Sequence, residues 1–345
     1  MSEADGIHQP VVAGLERATD VRSCGRRCRA AVCWLAAASV LLALGAIRVQ
    51  AALEGPPPVL PPAGEVLQGE APFRFAMIGD SRGNTCVFEA ILERIAADDV
   101  SFVLHGGDIV QSYSRAQFQW VLHELAEEEL GVPMCFVPGN HDIDDGADEA
   151  RRYRFYTASF GPRRYWFSYA DSLFVAFDNA TERCTEEDLA WLDRTLGRLR
   201  DDYKSCFVFM HLPPRDPRPG HNHALQPDTG ADELIQLLAE HDVTAVLASH
   251  IHSYAEDEVA GIPVFITGGG GAELEEPDDR HHYLLCTVGD DGALSVEKVD
   301  VSDQPNTDYP EYVLRVKTPP LLLLIAGGVC AVLGVALASS HRTGF

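Results

Sequence analysis

The stretch Pro138–Asp144, PGNHDID, follows the apolar run Met134–Val137 and packs glycine, an amide, an imidazole and two carboxylates into seven residues. An apolar strand that stops at a glycine turn loaded with such side chains reads as the ligand-binding, carboxyl end of a strand in an open α/β sheet. The same design recurs on either side of it. Upstream, Phe73–Ile78 ends in GDSRGN, with Asp80, Arg82 and Asn84, and Phe102–Leu104 ends in HGGDIV, with Asp108. Downstream, Phe207–Met210 runs into HLPP, with His211, and Ala245–Ala248 into SHIHSY, with His250 and His252. Five strand ends thus bring two carboxylates, one amide and several imidazoles to one edge. Hard oxygens mixed with imidazole nitrogens suit manganese, iron or zinc and do not suit an all-oxygen calcium site.

Between these strands lie amphipathic stretches that predict helices at Thr85–Ala97, Arg115–Leu130, Glu186–Leu199 and Asp232–Glu240. Thr185 followed by three acidic residues marks the start of the third. Tyr165–Tyr169 and Leu173–Phe177, separated by Ala-Asp-Ser, predict a hairpin, and Val264–Thr267, Tyr283–Val288 and Leu294–Val299 predict further strands. The fold class expected is α/β, with mixed sheets in layers.

The order D-x-x, G-D, G-N-H-D, H and S-H-x-H, over Phe73 to Val299, resembles the calcineurin-like metallophosphoesterases, the family of purple acid phosphatases, Ser/Thr phosphatases and cyclic-nucleotide phosphodiesterases. The resemblance implies a four-layer α/β/β/α sandwich and two divalent or trivalent transition metals, with manganese, iron or zinc as candidates. Carried over, it makes Asp108 the bridging carboxylate, gives Asp80 and His252 to a first metal, and gives Asn140, His211 and His250 to a second. It further implies hydrolysis of a phosphomonoester or phosphodiester by a metal-bridging hydroxide, with His141 as general acid and Asp142 or a nearby carboxylate orienting it.

Two positions depart from the family pattern. Arg82 stands where the fuller motif has histidine, and Ser249 stands where it has glycine before His250. Arginine cannot deprotonate and cannot ligate a metal, but it suits bidentate contact with a phosphoryl group or pairing with a carboxylate. The expectation is that Arg82 helps to hold the substrate and that the first metal binds more weakly. Of the remaining histidines, His105 reads as a packing residue. His221 and His223 lie in the long loop Pro213–Thr229, which either covers the site or is a solvated surface loop, while His281 and His282 read as turn residues. Tyr254 and Asn84 are candidates to line the cleft. Gly268–Gly271 lacks the strand–GK[ST]–helix context of a phosphate loop.

The formal net charge is -25. Such a surface repels phosphate backbones, so no nucleic-acid binding is expected, and a phosphate-ester substrate needs local positive charge, which metals supply. Nine cysteines include no C-x-x-C pair and read as buried thiols.

Charge-free apolar runs at 30–47 and 319–340 read as membrane spans, the first preceded by Arg22, Arg26, Arg27 and Arg29. They leave a basic tail at 1–29, a proline-rich linker at 48–72, the phosphoesterase domain at 73–301, a linker at 302–318 and a tail at 341–345. With both ends cytoplasmic the catalytic domain lies on the exoplasmic or periplasmic side. The first run also fits a signal sequence. Two other readings stay open: a degenerate metal-binding module without catalysis, and a cyclic-nucleotide phosphodiesterase or nucleotidase with a cytoplasmic domain.

Overall fold

The computed structural model describes residues 29–45, 59–128, 130–275, 279–301 and 320–339. The chain divides into two compact units, the terminal segments 1–55 and 313–345 forming one and Pro56–Tyr312 the other.

In the first unit residues 29–45 form helix α1. Its partner is the last helix of the chain, Pro320–Ser339. The two run antiparallel, with Gly45 against Leu324 and Gly327 against Leu42, where any side chain on either glycine would collide with the leucine. Small residues permit that approach of two backbones. Large apolar side chains, among them Val32, Val40, Leu322 and Val332, stay exposed on the pair. Among the described residues no helix is long and apolar enough to cross a membrane. The seventeen described residues of α1 span about 25 Å, short of a hydrocarbon core of about 30 Å. In the last helix, side chains are described only at 322–333, 335 and 336. Both predicted spans therefore coincide with helices, but the structure does not establish either as a membrane span.

In the second unit the strands are β1 (Val66–Leu67), β2 (Phe73–Ile78), β3 (Val103–His105), β4 (Met134–Phe136), β5 (Tyr165–Tyr169), β6 (Ser172–Ala176), β7 (Ser205–Phe209), β8 (Ala245–Ala248), β9 (Tyr254–Val259), β10 (Ile262–Thr267), β11 (His282–Val288) and β12 (Leu294–Asp300). The helices are α2 (Thr85–Ala96), α3 (Arg115–Glu128), α4 (Glu149–Arg152), α5 (Arg154–Phe160), α6 (Glu186–Leu199) and α7 (Ala231–Glu240), and Pro320–Ser339 is α8. Two sheets result, ordered β1-β5-β6-β7-β8-β10-β9 and β12-β11-β2-β3-β4. Both are mixed: β2, β3 and β4 are parallel while β11 joins β2 antiparallel, and β6, β7, β8 and β10 are parallel while β9 joins β10 antiparallel.

Alternation along the strands builds the layers. Phe75 and Met77 of β2, Leu104 of β3 and Phe207 and Phe209 of β7 share one core between the sheets. The alternate residues Ala76, Ile78 and Val103 pack on α2, α3 and α5, while Cys206 and Val208 pack on α6 and α7. The order is α/β/β/α, as expected. Helix α6 starts at the predicted place: Asp188 N–H donates to Thr185 Oγ1 and Thr185 N–H to Asp188 Oδ2, a reciprocal cap. Cys135, Cys184, Cys206 and Cys286 are free and buried, and burial pushes the Cys206 thiol up to about 12. The turns that follow β2, β3 and β4 in one sheet and β7 and β8 in the other meet through hydrogen bonds among their residues, which sets the site.

Candidate metal centre

The turns that leave these strands are tight and strained. Asp80 (φ 58°), Arg82 (φ 47°), Asp108 (φ 54°) and His250 (φ 71°) all hold left-handed backbone. Non-glycine residues adopt that region at a cost of order 1–3 kcal/mol each, and such outliers cluster at functional sites. Backbone hydrogen bonds lock the turns together: Asp80 N–H donates to Gly107 O at 3.0 Å, and Arg82 N–H to Asp108 O at 2.9 Å. Gly139 has no room for a side chain, since a Cβ there would lie 2.2 Å from Asp108 N and 2.3 Å from Asp108 Oδ1. That glycine lets the β4 turn close onto Asp108.

Three ligand atoms converge on His211, which is fully buried. Its Nδ1 lies 2.8 Å from Gly106 O, so that nitrogen carries the proton and Nε2 is left as an acceptor. Around Nε2 stand Asn140 Oδ1 at 3.0 Å, His250 Nδ1 at 3.0 Å and Asp108 Oδ1 at 3.4 Å. Carboxylate, amide and imidazole ligand atoms gathered in one buried pocket suit a cation among them. Asp80, Asp108 and His211 form one of two groups of potential metal-ligating side chains among the described residues, the other being His123, Glu124 and Glu127. Asp108, Asn140, His211 and His250, the residues the resemblance gives to the second metal, thus stand together, with Asp80 of the first close by.

Asp80 and His252 make a second set of candidate ligands near Asp108. His252 Nδ1 faces Glu273 O at 2.9 Å, so Nε2 is again the free acceptor. It lies 3.6 Å from Asp80 Oδ1, and both atoms are buried without a hydrogen-bond partner. Two orphaned acceptors side by side fit half of a cation site. Burial depresses the His252 pKa, but the Asp80 carboxylate outweighs it and raises the group overall. Burial would push Asp108 up, yet His211, His141 and Arg82 hold it down to about 2. Burial and the neighbouring His211 and His223 push His250 down to about 2, the neutral form a metal needs.

The three predicted catalytic residues separate in space. His141 sits at the rim, its N–H donating to Asp108 Oδ1 at 2.9 Å and its Nδ1 2.7 Å from Gln111 O, which leaves Nε2 free. Asp142 does not orient that ring. Its carboxylate is buried and accepts the N–H groups of Ile109, Val110 and Gly139 at 2.9–3.1 Å, tying the β3 turn to the β4 turn. Burial and the charge of Asp108 push it up to about 7. Arg82 does not project freely toward a substrate, because Nη2 and Nε both donate to Asp108 Oδ2, at 2.8 and 3.2 Å.

His105 is fully buried, accepting Gly107 N–H through Nδ1 and bonding Ser81 Oγ through Nε2, so it braces the Asp80 and Asp108 turns. Burial pushes its pKa down to about 3. His223 brings the long loop over the centre: its ring packs against His250 with centroids 4.2 Å apart, and its Nδ1 lies 3.0 Å from Glu275 Oε1. His221 is exposed, and His281 contacts Gly269 O. Asn84 donates to Gly271 O. Tyr254 meets the His282 ring and Lys298, none of which belongs to the ligand set.

Sequence reading overlooked Asn179. Its Oδ1 accepts the N–H groups of His211 and Leu212, and its Nδ2 donates to Leu212 O, which fixes the turn that carries His211. The signal available was an Asp-Asn pair just after an apolar strand. Gln111, Glu273 and Gly106 act through backbone carbonyls, for which side-chain identity gives no signal.

A model of the calcineurin-like phosphoesterase family matches residues 73–254, more than half of the chain. The chain belongs to the calcineurin-like phosphoesterases, a family of phosphoric-ester hydrolases built around a dinuclear transition-metal centre. Among solved structures it is similar to a purple acid phosphatase from yellow lupin (Lupinus luteus), at 17% identity and a TM-score of 0.55, over 68% of this chain and 53% of that one. The chain thus matches about half the length of the lupin enzyme. It is also similar to a dimetal phosphatase from Danio rerio, at 16% identity and a TM-score of 0.47, over 67% of this chain and all of that one. At 17% identity the likeness to the lupin enzyme is one of fold. No curated protein sequence matches the chain.

Proposed function

We propose that this chain hydrolyses a phosphomonoester or phosphodiester at the Asp108-centred site, with His141 as general acid. The observation that carries this is the set of acceptors around His211 Nε2, with the His141 ring at its rim. Metals held by Asp80, His252 and Asp108, and by Asp108, Asn140, His211 and His250, would acidify a water and neutralise the phosphoryl oxygens. The chain's own residues do the positioning. Gly106 O and Glu273 O orient the two imidazoles that present Nε2, and Asn179 fixes the turn of His211. The His141 backbone is pinned on Asp108, and Gln111 O holds its Nδ1 proton. In the imidazolium form its Nε2–H then gives its proton to the departing oxygen and leaves the neutral ring with Nδ1–H on Gln111 O.

Membrane anchoring through the terminal helices, with the catalytic domain exoplasmic or periplasmic and both ends cytoplasmic, belongs to the same proposal. It is supported by the charge-free runs, by the arginines before residue 30 and by the exposed apolar face of the helix pair. A reporter fused to the C-terminus tests the orientation. An externally active reporter would contradict it.

The Arg82–Asp108 pair favours one rival, a metal-binding module without catalysis. The purified chain, assayed on mono- and diesters with manganese, iron or zinc, decides between them. Metal-dependent turnover that disappears in His141→Ala on an alkyl phosphate supports the enzyme; absence of turnover with every metal leaves the module.

A further inference from the structure

The four lone-pair positions of the Asp108 carboxylate are all assigned. Oδ1 accepts His141 N–H at 2.9 Å and faces His211 Nε2 at 3.4 Å, the side of the second metal. Oδ2 accepts two N–H groups from one guanidinium, Nη2 at 2.8 Å and Nε at 3.2 Å. A carboxylate oxygen offers about two acceptor positions, so Arg82 saturates Oδ2. Asp80 Oδ1 and His252 Nε2, buried and unpartnered, would hold the first metal together with the Asp108 carboxylate that Arg82 already pairs with. Arg82 therefore does more than remove one imidazole from the first site: it sets a fixed positive charge on the carboxylate that the two sites would share.

The guanidinium is held from below and open above. Its backbone N–H is fixed on Asp108 O, and its side chain is 18% exposed beside an Asp108 that is 0% exposed. Among the described residues no hydrogen bond engages Nη1. What would draw the group off Oδ2 is a competing oxyanion at the open side, and a phosphoryl group offers the paired oxygens that match the guanidinium fork.

We propose that Arg82 gates the first metal. In the absence of a phosphoryl oxyanion the guanidinium and that metal, two cations, compete for the Asp108 carboxylate. A phosphoryl oxyanion takes Arg82 away from Asp108 and lets the first site fill. The inference rests on the metal-centre reading above and adds its regulation. By linkage the coupling is reciprocal: the factor by which phosphate tightens the metal is the factor by which the metal tightens phosphate.

Equilibrium binding of Mn2+ to the metal-stripped full chain tests this, read from the electron paramagnetic resonance of free Mn2+ against protein-free blanks at the same phosphate concentration. Without phosphate the wild type binds one ion tightly and a second at least tenfold more weakly. Inorganic phosphate tightens the second at least tenfold. Arg82→Ala and Arg82→Gln bind the second ion at least tenfold tighter than wild type without phosphate and lose most of the phosphate response. The tight first-bound ion, retained in both variants, shows that they are folded. Two equally tight ions in phosphate-free wild type, or a second affinity unmoved by phosphate and by both substitutions, overturns the gate while leaving the metal centre standing. Absence of any tight ion in wild type overturns the centre itself, and the gate with it.

Discussion

Replacing Asp142 tests whether the centre is assembled by buried backbone hydrogen bonds. The carboxylate is the acceptor for three N–H groups, those of Ile109, Val110 and Gly139, in a place with no exposure to solvent. Asp142→Ala orphans all three. Each unsatisfied buried donor costs about 1–3 kcal/mol, which gives a ceiling of roughly 9 kcal/mol. A water admitted to the space of the lost carboxylate re-satisfies part of the set, so a loss of about 3–5 kcal/mol is expected. That is a large share of a domain stability of about 5–15 kcal/mol, yet leaves a folded protein. Asp142→Asn keeps one oxygen for Ile109 and Val110 and turns an N–H against Gly139, so its loss is smaller, about 1–3 kcal/mol. Equilibrium denaturation in guanidinium chloride at pH 7 measures both, and metal affinity at the His211 site should fall alongside, because Gly139 precedes the ligand Asn140. Denaturation midpoints for both variants indistinguishable from wild type would refute the reasoning.

His141→Ala should lower kcat by about 10²–10⁴ on an alkyl phosphate and far less on an aryl phosphate whose leaving oxygen needs no proton, with metal stoichiometry unchanged; equal losses on both substrates would remove the general-acid role. Gly139→Ala places a methyl 2.2 Å from Asp108 N, so it should cost about 1–3 kcal/mol of stability and at least tenfold in metal affinity, read by denaturation and metal titration. Asp279 is pushed up by burial but pulled down further, to about 2, by Lys298 and by the N–H groups of Arg280 and Tyr254. A carboxylate depressed in the folded state stabilises fully above its unfolded pKa of about 3.9 and ceases to do so as pH falls through the folded value. Asp279→Asn should therefore lower Tm at pH 7, and the gap to wild type should close between about pH 4 and 2; a gap constant over that range would contradict the assignment.

Where a segment's own pattern decided its state, the sequence was enough. Helix α6 carries its cap in Thr185 and Asp188, and β2 alternates two faces that pack on two different cores. The ligand turns were legible because glycine and metal-ligating side chains sit together at strand ends. Strand β9 was not, since YAEDEV is acidic, lies at a sheet edge and buries only Ala255 and Val259. The short helices α4 and α5 were missed because Glu149–Phe160 carries three arginines and little apolar periodicity. At the site, residue type foretold that Arg82 would meet a carboxylate or a phosphate, but which of them depends on a turn joining β2 to β3 across the sheet. Asp142 was misread for the same reason: adjacency to His141 suggested a partner, while the tight turn Asn140–Asp142 directs the carboxylate inward to three backbone N–H groups.

Anomalous diffraction from crystals of the full chain loaded with manganese tests the metal centre most directly. A peak bounded by Asp108, Asn140, His211 and His250 is the expected result. No density there, or an ion held instead by His123, Glu124 and Glu127 of α3, would contradict it.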